Sequence, residues 1–405
     1  MTIVHEAVRP IFAHRVSLLG TENAFKIGPW IREVEQQGHR VIRCNLGEPD
    51  FPLPEHIAAE VKRRIDAGET HYVDPQGIEP LRIAIAKTMS ERRGIAITPD
   101  RVVVFPGAKP PIGFAQQIYC DAGDQVIYPS PGFPIYESFT RFVGAVPMPL
   151  QLEESRGFAF SGRDLEPLIT PRTKLIILNF PSNPTGGVAT RAQLEDIAEV
   201  ILREAPPDVR VYSDEVYEDI LFDGAKHESI ASIPGMAERT ILVGGVSKSY
   251  AWTGGRVGWA VLPTAEEAAI FRTFNINYFS CVPAYNQWGA KVALESPESA
   301  PVLAAMVAAF QDRRDFVVRA LNDIPGVSCQ MPGGAFYVFP NIGHRDATEF
   351  QHRLLYDYHV ATLDRRSFGV IGSEGKQFLR ISIATSMEDL KEAMVRIRAC
   401  IEEEA

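Results

Sequence analysis

The sequence predicts an α/β fold, with a mostly parallel sheet and a second, smaller α/β layer. Short continuous apolar runs recur through the middle of the chain, and stretches with helical spacing separate them. With 405 residues, of which 45% are apolar, the chain is long enough to bury a large core. Continuous apolar runs are typical of strands covered on both faces, and strand–helix alternation is typical of parallel sheets. The runs are 101–105, 125–128, 174–180, 209–213, 240–244 and 257–262.

Helical spacing is clearest at 191–204, where Thr190 is a plausible N-cap, and at 300–322. A break at Pro325-Gly326 follows the long helix, and the pattern then alternates through short strands and helices to the C-terminus. The predicted strands are 327–329, 334–339 and 378–384, and the predicted helices are 347–358 and 387–403. This layout predicts an N-terminal arm contributing to a small domain (1–48), a large domain (49–300), and a linking helix with the rest of the small domain (301–405).

Composition disfavours several classes of function. A formal net charge of -10 disfavours a nucleic-acid partner, because such proteins present a basic face to phosphates. No apolar run approaches the 18 residues of a membrane span, and residues 1–20 lack the apolar core of a signal peptide. The five cysteines are scattered without a CxxC pair, which disfavours a disulfide framework or a zinc site. We therefore expect a cytoplasmic protein without nucleic-acid or membrane partners.

Residues with chemical potential follow the ends of the predicted strands, where ligands bind in open α/β sheets. After the first run, Gly107 permits close backbone approach, and a helix opening nearby would direct free N–H groups at an anion. After the second run, Phe133 stands in a proline-rich loop and could form one wall of a flat-ring site. An ordinary turn and a core phenylalanine are the alternative interpretations.

Three further strand ends carry polar side chains. Asn183 offers an amide within a turn sequence, and Asp214 is either a carboxylate needing a cationic partner or a helix cap. Lys248 lies among glycine and serine residues, with Arg256 eight positions on. A lysine becomes a nucleophile when desolvation or a nearby cation lowers its pKa, and Arg256 with Ser247 could hold a phosphate. The alternative is a solvated surface lysine.

Taken together, these sites supply what pyridoxal phosphate requires. They offer a phosphate cup, an aromatic wall, a carboxylate for a pyridinium nitrogen, a phenol and an amide for a ring hydroxyl, and an amine for an aldehyde. We therefore predict pyridoxal 5′-phosphate as the cofactor.

The chain also resembles the class I/II aminotransferases, the aspartate aminotransferase family of fold type I, from about residue 15 to residue 401. The resemblance rests on five motifs in order: Asn-Leu-Gly-Glu-Pro-Asp-Phe (45–51), His-Tyr-Val-Asp-Pro-Gln-Gly (71–77), Ser-Asn-Pro-Thr-Gly (182–186), Ser-Asp-Glu-Val-Tyr (213–217) and Ser-Lys-Ser-Tyr (247–250). It implies a three-layer αβα large domain with a mostly parallel seven-stranded sheet.

The resemblance assigns roles around the cofactor. It implies that Lys248 forms the Schiff base and moves the substrate proton, that Asp214 pairs with the ring nitrogen, and that Phe133 stacks on the ring. Tyr217 and Asn183 would bond the phenolic oxygen. The phosphate would be held by the backbone of Gly107, Ala108 and Lys109, the side chains of Ser247 and Arg256, and Tyr72 of the neighbouring subunit. The last contact implies a homodimer with shared sites.

The resemblance also implies how the substrate is held and what reaction occurs. Arg380 matches the arginine that binds the substrate α-carboxylate, with Gly47 and Asn183 beside it. The implied reaction moves the amino group of an amino acid to a 2-oxo acid by a ping-pong mechanism. Gly255 stands where relatives have tryptophan, and 363–369 also departs from the family pattern, which leaves the side-chain pocket open.

The donor stays unassigned at this point. Lys109 is either a contact for the distal carboxylate of aspartate or glutamate, or a solvent-facing lysine. Other anion contacts would be Arg365 and Arg366, although a solvated loop is the simpler interpretation. An aromatic or apolar pocket would draw on Phe25, Tyr278, Phe279 and Tyr337. Alternative functions are another pyridoxal phosphate reaction (a β- or γ-lyase, a decarboxylase or an oxidase) and a ligand sensor built on the same fold.

Overall fold

A computed structural model of the chain describes residues 11–20, 22–371 and 376–403. Its helices are α1 (Asn23–Lys26), α2 (Gly28–Gln36), α3 (Glu55–Asp66), α4 (Glu79–Arg93), α5 (Pro110–Tyr119), α6 (Ile135–Phe142), α7 (Gly162–Leu165), α8 (Arg191–Glu204), α9 (Val246–Ser249), α10 (Ala265–Tyr278), α11 (Ala284–Glu295), α12 (Ser299–Asn322), α13 (Ala347–Tyr356) and α14 (Met387–Glu402). Short 3-10 helices span His14–Leu18, Pro99–Arg101, Glu154–Arg156, Glu166–Leu168, Ile230–Ser232, Thr253–Gly255 and Arg365–Phe368.

The strands form three sheets. They are β1 (Ile42–Arg43), β2 (Val102–Phe105), β3 (Gln125–Ser130), β4 (Val146–Gln151), β5 (Thr173–Asn179), β6 (Arg210–Asp214), β7 (Thr240–Gly245), β8 (Gly258–Val261), β9 (Tyr337–Val338), β10 (Val360–Ala361), β11 (Leu363–Asp364) and β12 (Leu379–Ser382). The large sheet has seven strands in the order β2-β8-β7-β6-β5-β3-β4, and β8 is antiparallel to both of its neighbours. The predicted mostly parallel seven-stranded sheet is confirmed.

Helices cover both faces of this sheet. Along β2, Val103 and Phe105 join one buried cluster with α5 and α10, whereas Val102 and Val104 join another with α3, α4 and α11. Successive strand side chains point to opposite faces, so this split places a helical layer on each side. The continuous apolar runs of the sequence are thereby explained, and the three-layer arrangement is confirmed.

The edge strand β4 is the one the apolar runs did not predict. Its sequence contains Pro147 and Pro149, and it pairs only with β3. Proline cannot donate to a ladder and is confined to edge strands or bulges. Because β4 is an edge strand, it tolerates these prolines. They nevertheless interrupt the apolar pattern by which the other strands of the sheet were predicted.

Segments from the N-terminal and C-terminal parts of the described chain meet in the two-stranded sheet. Ile42 of β1 pairs with Val360 of β10, and β9 and β11 flank β12 in an antiparallel sheet. The long helix α12 packs against α14, with Phe310 and Leu321 in one buried cluster with Ile397. Predicted strand 334–339 appears as β9, whereas 327–329 makes only the bridge between Ser328 and Asn341.

The boundaries at 48/49 and 300/301 stay a prediction, and residues 1–10 of the predicted N-terminal arm lie outside the described residues. Within the described part of the chain, no helix combines the length and the apolar character needed to cross a bilayer.

Candidate active site

A cavity of about 510 Å³ opens at the carboxyl ends of the central strands. Asn179 ends β5, Asp214 ends β6, and Gly245 ends β7, so three neighbouring strands deliver side chains or backbone to one place. The predicted site residues that line it are Gly47, Ala108, Lys109, Phe133, Asn183, Asp214, Tyr217, Ser247, Lys248, Arg256 and Arg380. Gly107 lies directly beside it, whereas Tyr72 is 86% exposed and lies outside it.

Lys248 lies in α9, the single helical turn that follows β7. Its Nζ donates a hydrogen bond to the Gly47 carbonyl at 2.5 Å. Burial lowers the pKa of Lys248 to about 8, against the opposing effect of Glu22 and with support from Arg380. A substantial fraction of the amine is therefore neutral near physiological pH, which a nucleophilic lysine requires. A solvated surface lysine is ruled out.

Asp214 is buried with one oxygen unpartnered. Its Oδ2 accepts a hydrogen bond from the Tyr136 hydroxyl at 2.6 Å, while Oδ1 has no hydrogen-bond partner among the described residues. Burial raises the pKa of Asp214 to about 6, partly offset by the Tyr136 hydrogen bond. The chain after β6 forms a turn, so the helix-cap interpretation is wrong. A ring N–H would satisfy Oδ1, and this corner therefore fits a pyridinium nitrogen.

Arg380 lies in β12 and is only 3% exposed, which excludes a surface arginine. Its Nη1 donates to Asn183 Oδ1 at 3.0 Å, Nη2 donates to the Asn45 carbonyl, and Nε is buried without a partner among the described residues. The guanidinium carbon lies 4.4 Å from the Tyr337 ring centroid. Burial lowers the pKa of Arg380 from its ordinary value. A fixed guanidinium with an unused donor fits a carboxylate.

Tyr217 and Tyr337 share a hydrogen bond between their hydroxyls at 2.8 Å. Burial and this contact raise the pKa of Tyr217 well above 10, so the phenol stays a neutral donor. The Asn183 backbone N–H donates to Asn179 Oδ1 at 2.9 Å, which fixes the turn that carries the Asn183 amide. These groups line the same cavity as Asp214 and Lys248, and the roles implied for Tyr217 and Asn183 stay a prediction.

A candidate anion site lies between Arg256 and the start of α5. Gly107 has φ +90°, and a Cβ there would lie 2.1 Å from Arg256 Nη2, so only glycine admits this guanidinium. Arg256 donates to the carbonyls of Thr253 at 2.6 Å and Pro106 at 3.2 Å. The Gly107 N–H donates to the Phe105 carbonyl at 2.7 Å, so donating it to a phosphate requires that bond to break. Ser247, Ala108 and the first turn of α5 complete a site that fits a phosphate.

Two residues of the cavity, Glu22 and Tyr136, were not singled out from the sequence. Glu22, just before α1, forms an ion pair with Lys109, and both line the cavity. Tyr136, three residues after Phe133 and in the first turn of α6, is the partner of Asp214. Glu22 has no local sequence marker, whereas the nearness of Tyr136 to Phe133 was a usable signal.

Two arginine hypotheses are resolved here. Arg365 is 2% exposed, donates to Ser130 Oγ at 2.9 Å and to the Gly369 carbonyl at 3.1 Å, and does not line the cavity. Both the anion contact and the solvated loop residue are therefore wrong for Arg365. Arg366 is solvated and lies 3.6 Å from Asp346.

The aromatic hypothesis is partly supported by position. Phe25 and Tyr337 line the cavity, whereas Tyr278 and Phe279 do not. At Gly255, a Cβ would lie 2.2 Å from the Trp252 ring, so the Trp252 indole already fills the space where a side chain at 255 would begin.

Comparison with known proteins places this geometry in a family. The family described as aminotransferase class I and II matches residues 40–397. An aspartate/prephenate aminotransferase from Cereibacter sphaeroides is 38% identical over 381 residues, covering 91% of this chain and 93% of the relative. An aromatic-amino-acid aminotransferase from Thermococcus litoralis is 34% identical over 368 residues, covering 90% and 92%.

A solved structure agrees with these relatives. The crystal structure of the aspartate aminotransferase from Rhizobium meliloti superposes with a TM-score of 0.90 at 36% identity, covering 98% of this chain and 99% of that one. The family match spans most of the chain, the relatives exceed 30% identity over nine-tenths of it, and the fold is shared. This chain is therefore an enzyme of the transferase class, and it belongs to the class I and II aminotransferases.

Proposed function

We propose that this aminotransferase holds pyridoxal 5′-phosphate on Lys248 and moves the α-amino group of an amino acid to a 2-oxo acid by a ping-pong mechanism. The observation that carries the proposal is the pairing of a buried, unpartnered Asp214 oxygen with a partly neutral lysine amine in one cavity. When bound, pyridoxal phosphate supplies an aldehyde that condenses with amines and a ring that withdraws electrons from the substrate Cα.

The residues of this chain would divide the work. Asp214 Oδ1 would accept the ring N–H, Tyr217 and Asn183 would donate to the ring oxygen, and Phe133 would cover one face. Arg256, Ser247 and the start of α5 would hold its phosphate. These roles are supported by the residues that line the cavity and by the buried Asp214 oxygen that has no hydrogen-bond partner among the described residues.

The substrate would be held by its α-carboxylate. Arg380 would bind this carboxylate through Nε, the donor without a partner among the described residues, with Asn183 and the Gly47 backbone beside it. Lys248 Nζ would accept the proton of the substrate Cα, and a pKa near 8 suits that exchange.

A dicarboxylate such as aspartate or glutamate is one proposed substrate, because Lys109 lines the cavity and relatives are named for aspartate. Phe25, Phe133 and Ile112 also line it and would suit an apolar or aromatic side chain. A lyase, decarboxylase or oxidase would use the same cofactor contacts. Donor alone should convert the cofactor to its aminated form in a transferase, whereas a lyase or an oxidase would release ammonia and a decarboxylase would release carbon dioxide.

We also propose a homodimer in which Tyr72 reaches the phosphate of the partner subunit, supported by its 86% exposure in the single chain. All five cysteines are free, which supports a cytoplasmic location.

Lys248→Ala tests the cofactor assignment. The variant should lose the visible absorbance of bound cofactor and at least about a thousandfold in turnover, since the covalent anchor and the proton acceptor disappear together. Absorption spectra and half-reactions with twenty amino acids provide the measurement. Lys87→Ala, an exposed lysine on α4 outside the cavity, is the matched control. Retention of the absorbance and turnover by Lys248→Ala would refute the proposal.

A further inference from the structure

The cations that line the cavity are divided among distinct tasks. Among the described lining residues they are Lys109, Lys248, Arg256 and Arg380. In the proposed function, Lys248 holds the cofactor, Arg256 faces the phosphate, and Arg380 faces the α-carboxylate. Only Lys109 is left for a second carboxylate on the substrate.

Lys109 already has a carboxylate partner. Its Nζ forms an ion pair with Glu22 Oε1, and the Lys109 side chain is 45% exposed against 18% for Glu22. The same Nζ lies 5.8 Å from the Phe25 ring centroid and 5.7 Å from that of Phe133. The part of the cavity where Lys109 could bind a second substrate carboxylate therefore contains a neutral ion pair, Lys109 with Glu22, near two aromatic rings.

The segment that carries Glu22 is fastened on several sides. The Ser138 hydroxyl donates to the Gly20 carbonyl at 3.1 Å, and the Asn23 amide donates to Ser367 Oγ at 3.0 Å. The Asn45 amide donates to the Ala24 carbonyl at 3.2 Å, and the Asn45 carbonyl in turn accepts from Arg380. The position of Glu22 is therefore tied to the residue proposed to bind the α-carboxylate.

We propose that Glu22 is a specificity-determining residue that competes with the distal carboxylate of a dicarboxylic substrate for Lys109. The inference rests on the proposed function. A dicarboxylate must displace the Glu22 carboxylate before Lys109 can bind it, whereas a neutral apolar or aromatic side chain leaves the pair intact. Glu22 thereby lowers the preference for dicarboxylates relative to neutral amino acids.

Glu22→Gln tests this competition, because glutamine keeps the size and removes the charge. The ratio of kcat/KM for aspartate over that for phenylalanine should rise about fivefold, the scale of a partly exposed ion pair. The rate with phenylalanine should change less than about twofold. In a Lys109→Met background, Glu22→Gln should raise the ratio less, because the contested cation is gone and only the direct repulsion by Glu22 is relieved.

The controls separate the possible failures. Glu91→Gln removes the same charge from an exposed site on α4 outside the cavity and should leave the ratio unchanged. The absorbance of bound cofactor in Glu22→Gln shows that the site has formed. An unchanged or lower ratio in Glu22→Gln overturns the inference, and so does an equal rise in the Lys109→Met background, which would indicate direct repulsion. If the cofactor bound to the wild-type enzyme reacts with no amino acid, the proposed function itself is wrong.

Discussion

Asp214 carries an electrostatic cost in the protein without cofactor. Burial raises its pKa from 3.8 to about 6. Because the folded-state pKa lies above the ordinary value, the folded protein binds more protons than the unfolded chain between these two values. Stability is therefore lost as pH rises through that interval, and the loss is complete above about pH 6. Two pKa units correspond to roughly 3 kcal/mol.

Asp214→Asn should remove this cost while weakening cofactor binding. The asparagine oxygen still accepts from Tyr136 but never ionises, so the cofactor-free variant should be more stable than wild type by roughly 2–3 kcal/mol at pH 7.5 and about half that at pH 5. Urea unfolding of both cofactor-free proteins at the two pH values measures the difference. Asp66→Asn, at an exposed position of α3, is the control. A gain independent of pH would contradict the argument.

Among the individual site residues, those that follow strand ends could be predicted from the sequence. Those that reach the cavity through contacts between distant parts of the chain were missed. Asp214 and Lys248 follow apolar runs, so their convergence could be inferred from the topology of a parallel sheet. Glu22 reaches the cavity through contacts made by residues more than a hundred positions away. Arg365 was misjudged for the same reason, because Ser130, its buried partner, lies 235 positions away.

Among the elements, local signals succeeded where the chain is regular. Helix α8 begins as predicted, since Thr190 Oγ1 accepts from the Gln193 N–H at 3.3 Å and the Gln193 side chain accepts from the Thr190 N–H at 2.9 Å. This reciprocal capping satisfies donors that a helix start leaves free. Two-residue strands such as β1 and β10 carry too little pattern to be located by periodicity.

Thr190→Ala tests the contribution of that cap. Loss of the side-chain acceptor should lower the free energy of unfolding by about 1 kcal/mol. Steady-state kinetics should not change, because no residue of α8 lines the cavity. Urea unfolding and kcat/KM report the two quantities, with Thr190→Ser as the variant that retains the cap. A large change in kcat/KM with an unchanged free energy of unfolding would contradict this prediction, because it would show that α8 affects the active site.

Across the whole molecule, the cavity exists only where distant parts of the chain meet. Glu22 and Gly47 come from the N-terminal part, Asp214 and Lys248 from the central sheet, and Arg380 from the C-terminal part. The pairing of β1 with β10 joins the two ends, and Arg313 of α12 forms an ion pair with Asp50 at 2.7 Å. In the proposed function, the residues that bind the substrate and those that bind the cofactor therefore come from different parts of the chain, and both sets depend on how these parts are positioned.

The proposed dimer can be tested with variants of Lys248 and Tyr72, because each site would use residues from both subunits. If Tyr72 completes the phosphate site of the partner subunit, Lys248→Ala and Tyr72→Ala damage different halves of each site. Lys248→Ala dimers should be inactive, and Tyr72→Ala dimers should bind cofactor more weakly by about 1–3 kcal/mol, the scale of one lost hydrogen bond to a charged group.

Mixing the two variants should therefore restore activity at limiting cofactor. A mixed dimer contains one site with both defects and one site with the native Lys248 and the partner's native Tyr72. After joint unfolding and refolding at equal amounts, about half of the dimers are mixed, so about a quarter of the sites should regain native cofactor affinity. Titration of activity against cofactor concentration measures that fraction, and the separately refolded variants, combined afterwards, are the control. If Tyr72 acts within its own subunit, each mixed dimer carries one site with only the Lys248 defect and one with only the Tyr72 defect, and no site regains native affinity.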